Sequence, residues 1–180
     1  VRLTRGSTKT DLTDDNIIVA VGTKPARPDN VPLNPGVIID SDELLQLERL
    51  PSSMIIVGGG VIGVEYACMF QAVGVKVTLV DRRSRILEFL DAEIGEALQY
   101  QMRRSGVRLR LNEAVAELWT DGSSASARLE SGKVLTAQTL MYCIGRQGAT
   151  DTLNLENAGL KADERGRLRV VEHFQTEVPH

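Results

Sequence analysis

The 180-residue sequence is poor in aromatic side chains, which make up 4% of it, and it has only two histidines and two cysteines. Cys68 and Cys143 stand far apart and show neither C-x-x-C nor metal-ligand spacing. That argues against a disulfide framework and a zinc site, and both read as buried thiols. No metal ligand set and no catalytic side chain stands out. No run approaches the roughly 20 apolar residues that a membrane-spanning helix needs. Neither sign of charge dominates: 21 Lys and Arg against 24 Asp and Glu leave a net −3. Neither a nucleic-acid partner nor a membrane partner is therefore expected. Val1-Arg2-Leu3 runs on into polar Thr and Lys rather than an apolar leader, so a reducing, cytoplasmic setting is expected. Repeats and low-complexity linkers are also missing.

What is present is a chain 42% hydrophobic, enough to build one ordinary domain and part of a second. Its densest signal is MIIVGGGVIGVEYACMFQAVGVKVTLVD, running from Met54 to Asp81. Met54 to Val57 is short, apolar and rich in β-branched residues, as a buried strand is. Gly58, Gly60 and Gly63 follow in G-x-G-x-x-G spacing, with Val61 and Ile62 between them. Val64 to Ala72 reads as a helix, and Val75 to Val80 as a second strand ending at Asp81. In such a unit the first glycine permits a sharp turn, the second lets a pyrophosphate approach the backbone, and the third lets the helix pack against the strand. The helix start offers free N–H groups and a partial positive charge to phosphates. Asp81 lies close to the spacing of about 20 residues at which an acid meets the adenosine ribose.

Around this unit the chain divides by composition. Val1–Leu3 reads as a short strand, and residues 4–15 as polar turn. NIIVAV (residues 16–21) reads as a compact strand, Gly22-Thr23-Lys24-Pro25 as a turn. Gly36 to Asp40 is extended, and Ser41 or Asp42 caps a helix to about Leu47. Asp91 caps another to about Arg104, with Ile94, Leu98 and Met102 on one face and Gly106 at its end. Val107–Leu111 returns to the sheet. From Glu113 to Thr136, Asp121-Gly122 and Ser131-Gly132 mark the hairpins of an antiparallel meander. Leu140–Ile144 is a further strand, residues 151–159 include a short helix, and Gly166 makes a turn. The expected fold is α/β: a three-layer, Rossmann-like arrangement of a parallel sheet with an antiparallel β-meander.

These segments together resemble the NAD(P)-binding domain of the flavin-dependent pyridine nucleotide–disulfide oxidoreductases. The likeness rests on NIIVAVGTKP, on SDELLQLERLPSSMIIVGGGVIGVEYA, on the meander, on MYCIGRQGATDTLNLENAGL and on RGRLRVVEHFQTEVPH, and so covers essentially the whole chain. Tyr66–Ile94 and the FQTEVPH ending look most like the family's transhydrogenase branch. The resemblance implies residues 1–35 as the end fragment of an FAD-binding domain, 36–148 as the NAD(P)-binding domain and 149–180 as a return segment toward the FAD domain. The family's FAD-binding GxGxxG, its C-x-x-x-x-C redox pair and its later Gly-Asp motif are not in this sequence, so the chain is expected to be a piece of a larger flavoprotein. The implied cofactors are NAD or NADP, with FAD in the intact protein. The implied partners are nicotinamide nucleotides and the FAD domain of the same protein, with a homodimer at full length.

Residue by residue, Gly58, Gly60 and Gly63 match the pyrophosphate glycines. Glu65 matches an acid at the nicotinamide end of the cofactor. Val61 stands where some members carry a gating Tyr. Gly145 matches a glycine that the cofactor passes, Val115 a residue beside the adenine or simply core, and Gly22 and Thr23 positions facing FAD. Arg146 reads as structural. Asp81 is the NAD signature, yet Arg82 and Arg83 occupy the place of the bases that take a 2′-phosphate, and Glu88 stands where such members carry a further Arg. Arg82 and Arg83 are either a phosphate fork or a solvated loop. The implied activity is hydride transfer between NADPH and NAD+ through FAD. The alternatives are a dihydrolipoamide dehydrogenase-type disulfide reductase and a non-catalytic nucleotide-sensing module.

Overall fold

A computed structural model describes residues 1–179; the final His180 of FQTEVPH lies outside the described residues. The chain forms two compact units, Pro25–Arg146 and Val1–Lys24 together with the chain from Gln147 onward.

In the smaller unit, Arg2–Arg5 (β1) and Thr8–Asp11 (β2) pair as an antiparallel hairpin. Residues 4–15 are thus not wholly turn: the polar residues of β2 pair through backbone groups, which need no apolar side chains. Arg2 and Asp11, opposite each other in register, close an ion pair of 2.7 Å. NIIVAV, by contrast, joins no ladder, and Ile18 is 91% exposed. Strand propensity reports the fit of a side chain to a half-buried pleated surface, and no sheet of this unit supplies that surface. Thr23–Pro25 (β3) is a short strand rather than a turn, and the left-handed residue is Gly22 at φ 71°. The expected short helix at 151–159 is a 3-10 turn over Leu155–Ala158, ended by left-handed Gly159. Gly166 turns the chain as expected, at φ 69°, and a Cβ on Gly148 would stand 2.1 Å from its carbonyl oxygen.

The larger unit is built on five parallel strands. Ile38–Ile39 (β4) precedes Ser53–Val57 (β5), which leads through helix Val61–Ala72 (α1) to Lys76–Asp81 (β6). Helix Ala92–Ser105 (α2) then leads to Arg108–Leu111 (β7). The meander consists of Val115–Thr120 (β8), Ala125–Leu129 (β9) and Val134–Ala137 (β10), antiparallel in the order β10-β9-β8, with its hairpins where Asp-Gly and Ser-Gly stand. Thr139–Tyr142 (β11) re-enters the sheet, and Arg146–Gly148 (β12) follows. The sheet order is β4-β11-β5-β6-β7. One face buries Met54, Ile56, Val77 and Leu79 with Val64, Ala67 and Met102 of the helices. The other buries Ile55, Val57, Val80 and Leu140 with Ala125, Ala127 and Leu129 of the meander. That alternation along β5 and β6 produces three layers.

Three local expectations are corrected. Helix α1 starts at Val61, three residues early, because the glycine spacing lies partly inside the first helical turn. The turn after β4 is a 3-10 element over Glu43–Gln46. Neither Ser41 nor Asp42 caps it: the Asp40 carboxylate accepts from the Asp42 and Glu43 N–H groups, both at 2.9 Å. On α2, Met102 is buried, but Ile94 is 57% exposed and Gly95 and Gln99 face inward instead. The inner face is rotated by one residue, and glycine contributes nothing to an apolar pattern that would reveal it. Gly106, at φ 106°, ends α2 as expected.

Candidate functional site

The order of strands places a crevice. From β5 the chain winds outward through β6 and β7, whereas β11 lies on its other side. Ligands of open α/β sheets bind beyond the carboxyl ends of the strands at such a switch point. Gly58 follows β5 there, and Cys143 follows β11.

The glycines fit closely together. Gly58 has φ 122°, its N–H donates to the Val80 carbonyl at 2.9 Å, and a Cβ on it would lie 2.9 Å from the Cys143 carbonyl oxygen. A Cβ on Gly63 would stand 1.9 Å from the Gly58 carbonyl oxygen, so the first helical turn rests directly on the exit of the strand. Gly60 is the N-cap of α1 and has no side-chain cap, and nothing lies within 4 Å of where its Cβ would be. The leading N–H groups of this twelve-residue helix thus have no side-chain cap, and the space beside Gly60 is open. That is the geometry in which a pyrophosphate is held by N–H donors and the positive end of a helix. The residues present fit a dinucleotide.

Asp81 ends β6 with its side chain only 5% exposed. Its carboxylate accepts from the N–H of Gly59 and from Arg83 three times, through N–H at 2.8 Å, Nε at 2.9 Å and Nη2 at 2.7 Å. Burial alone would raise the Asp81 pKa. The Arg83 side chain, the Arg83 and Gly59 N–H groups and the Arg83 charge outweigh it and hold the carboxyl below its ordinary value. Asp40 behaves alike: burial opposes ionisation, and the Glu43 N–H, Arg27 and the Asp42 N–H together bring its pKa down. Both acids are protonated more easily in the unfolded chain than in the fold, that is, their pKa values fall on folding. Their contribution to stability is thus full above the ordinary Asp value of 3.8 and lost as pH drops below it through the folded values. Urea midpoints should accordingly fall on acidification below about pH 4, and less steeply in Asp40→Asn, which has lost one of the two groups.

The other residues singled out in the sequence are dispersed. Arg82 is exposed, whereas Arg83 is turned onto Asp81. The N–H of Glu113 donates to the Asp81 carbonyl at 3.1 Å and that of Asn112 to Arg83 at 3.0 Å, which brings the start of β8 and Val115, half-buried, beside the tip of β6. Val61 and Glu65 are exposed on α1 and Ile62 is half-buried. Gly145, φ 88°, follows β11 and accepts from the Ala26 N–H at 3.2 Å. Arg146 pairs with Asp42 at 3.0 Å. Gly22 and Thr23 belong to the smaller unit.

Two contributors escape a reading of motifs. A Cβ on Gly59 would meet the Asp81 carboxylate at 3.0 Å and Ile86 at 3.1 Å, so the middle glycine is what lets the acid reach the loop. The run of three consecutive glycines was the available signal. Cys143 lies under the turn, its thiol donating to the Val57 carbonyl at 3.3 Å. Burial, with the Asp81 charge behind it, pushes that thiol up to about 12. Since the thiolate is the reactive form, Cys143 should resist alkylation at pH 8 in the folded chain and label at the rate of unfolding. Iodoacetamide labelling followed by peptide mass spectrometry checks this; labelling at the rate of a free thiol would refute it.

Residues 1–180 match the family described as pyridine nucleotide-disulphide oxidoreductase. The soluble pyridine nucleotide transhydrogenase of Mycobacterium tuberculosis (strain ATCC 25177 / H37Ra) is 48% identical over 172 residues, 96% of this chain and 37% of that protein. The protein of that name from Chromohalobacter salexigens is 44% identical over 170 residues, 94% of this chain and 37% of its own length. The chain thus spans well under half the length of these relatives. Among solved structures, the Cu(II) complex of the HOCl-induced flavoprotein disulfide reductase RclA from Escherichia coli aligns with a TM-score of 0.89 at 32% identity, covering 99% of this chain and 40% of that one. LpdA from Mycobacterium tuberculosis aligns with a TM-score of 0.87 at 26% identity, covering 94% of this chain and 37% of that one. The family match over the whole chain and the 48% identity to that relative together show that the chain belongs to the pyridine nucleotide-disulphide oxidoreductase family.

Proposed function

We propose that this chain is the nicotinamide-nucleotide-binding part of a flavoprotein transhydrogenase. Residues 36–148 form the NAD(P)-binding domain, and residues 1–35 and 149–180 belong with an FAD domain supplied by the rest of the protein. The observation that carries the reading is the uncapped start of α1, with open space beside Gly60 and with Gly58 and Gly63 in contact behind it. The name shared by its curated relatives supports hydride transfer between NADPH and NAD+. FAD, when bound, supplies the two-electron relay between the two nicotinamides. This chain's part is to bind and orient: Gly58, Gly60 and Gly63 with the α1 N–H groups at the pyrophosphate, the Asp81 region at the adenosine ribose, Val115 at the adenine, and Glu65, Val61 and Gly145 toward the nicotinamide. Gly22 and Thr23 serve the FAD side. Exposed Ile18 and its neighbours in NIIVAV fit a strand completed by an FAD domain. A homodimer and a cytoplasmic setting complete the proposal. Among the described residues, no helix is long and apolar enough to cross a membrane.

Titration of the chain with NADH and with NADPH, read by nucleotide fluorescence, tests this directly. Binding of both without flavin-dependent turnover is expected; a chain that binds neither overturns the reading. The flavoprotein disulfide reductases among the structural neighbours favour one second reading, a disulfide reductase of the same family. A C-x-x-x-x-C pair encoded upstream would decide for it.

A further inference from the structure

We propose that Leu87 is a positioning residue for nucleotide binding: held in a left-handed conformation, it uses its backbone N–H to lock the Gly59–Gly60 peptide in the orientation that receives a pyrophosphate. This rests on the nucleotide-binding reading above. Leu87 lies in the loop between β6 and α2, 9% exposed and with φ 48°. A bulky side chain rarely adopts that region, which glycine and asparagine visit readily. The other non-glycine residue of the larger unit with such a φ is Asn112, so Leu87 is the one whose conformation runs against its residue type. Its N–H donates to the Gly59 carbonyl at 3.1 Å, and its own carbonyl accepts from the Leu90 N–H at 2.9 Å.

What that donor does follows from the three glycines in a row. A peptide between two glycines flips easily, since neither neighbour has a Cβ to hold φ on one side. In a planar trans peptide the C=O of one residue and the N–H of the next point in opposite directions. With the Gly59 carbonyl turned to Leu87, the Gly60 N–H points away from the loop, and none of the described residues accepts a hydrogen bond from it. A flip of this peptide would present a carbonyl oxygen there instead, which repels an anion. The Gly59 N–H is held in its turn by the Asp81 carboxylate. Both polar groups of the middle glycine are thus tied to the chain that follows β5 and α1, one of them by a backbone N–H that no motif names.

A packing role alone makes a different prediction. Leu87→Ile keeps the size and apolarity of the side chain, but its branched Cβ opposes the left-handed region. Leu87→Gly discards the side chain, yet takes a positive φ at no steric cost and keeps the N–H. If burial were the whole of it, Ile would be tolerated better than Gly in melting and in binding alike.

The test measures NADH affinity by fluorescence titration and melting temperature by calorimetry for wild type and both variants. Leu87→Gly should melt about 4–8 °C below wild type. Leu87→Ile should lose about tenfold or more in affinity against wild type, and Leu87→Gly should bind at least about tenfold more tightly than Leu87→Ile, a gap of roughly 1.4 kcal/mol. Exchange of the residue 87 amide hydrogen, followed by NMR, should be slow in wild type and fast in Leu87→Ile. An affinity of Leu87→Ile equal to or above that of Leu87→Gly overturns the assignment, and so does fast exchange of this amide in wild type. Should Leu87→Ile not fold, Leu87→Asn should bind more tightly than Leu87→Ala, because Asn accepts the left-handed region and Ala does not; equal affinities overturn the assignment as well. If wild type binds neither NADH nor NADPH, the underlying reading fails and this inference with it; if it binds and the variants rank the other way, only the role of Leu87 fails.

Discussion

Gly63→Ala lowers nucleotide affinity at least a hundredfold and the melting temperature by about 6–12 °C. The position lies within α1, where Ala is ordinarily better than Gly by about 1 kcal/mol. Here the added methyl would stand 1.9 Å from the Gly58 carbonyl oxygen and 3.1 Å from the Cys143 sulfur. Neither can yield cheaply. The carbonyl belongs to the backbone of the turn, and the thiol is packed against the ends of β5 and β11. The helix must lift off the strand. Overpacking of this kind costs about 1–3 kcal/mol and sometimes more. At about 3 kcal/mol the melting shift follows from roughly 2–4 °C per kcal/mol for a chain of this size. The larger loss is in binding, because the N–H groups of the first turn move together and the pyrophosphate loses several donors at once; about 2.7 kcal/mol is already a hundredfold. Gly60→Ala separates the two effects. Its Cβ meets nothing within 4 Å, and its φ of −81° suits any residue, so melting should stay within about 2 °C. The methyl nevertheless projects into the space left for the phosphate, and affinity should fall at least tenfold. Calorimetric melts and fluorescence titrations of both variants check this pair, and a Gly63→Ala chain that melts and binds like wild type would falsify the account of the turn.

Asp40→Ala lowers stability at pH 7 by about 3 kcal/mol, within the 3–5 kcal/mol range for breaking a buried pair. The Asp40 side chain is 1% exposed and is the shared acceptor for three donors: the Asp42 and Glu43 N–H groups and Arg27 Nε at 2.6 Å. Alanine leaves the two backbone donors without a partner. Arg27 keeps Glu43 at 3.2 Å and is 51% exposed, so water relieves it and the loss sits at the lower end of the range. Asp40→Asn retains one acceptor oxygen for the N–H groups but turns an amide toward the guanidinium, and should cost about 1–2 kcal/mol, near the worth of a hydrogen bond to a charged group. Urea unfolding of the three chains measures both differences; a loss below about 1 kcal/mol for Asp40→Ala would show that the cluster holds nothing.

Much was legible because it is written in neighbours along the chain. The run from Met54 to Asp81 declares strand, turn, helix and strand through glycine spacing, β-branched composition and a terminal acid, all within the reach of one βαβ unit. The hairpins at Asp121-Gly122 and Ser131-Gly132 follow from turn chemistry alone. Where the reading failed, the deciding partner lay far away in sequence. NIIVAV has the composition of a strand but pairs with no described segment of this chain, because pairing is a property of two segments and not of one. The true cap of the turn after β4 is Asp40, chosen by its burial beside Arg27. The inner face of α2 falls on Gly95, Gln99 and Met102, a pattern that a glycine and an amide hide from an apolar reading. At the site, the family resemblance set out Asp81, Arg82 and Arg83 as rival signals for two nucleotides. Only tertiary structure decided that Arg83 sits on the acid while Arg82 faces water, since rotamers, burial and the reach of Gly59 settle together in a packed loop. Local steric and hydrogen-bonding rules can be read along the chain; which charges meet depends on the folded backbone that brings them within 3 Å.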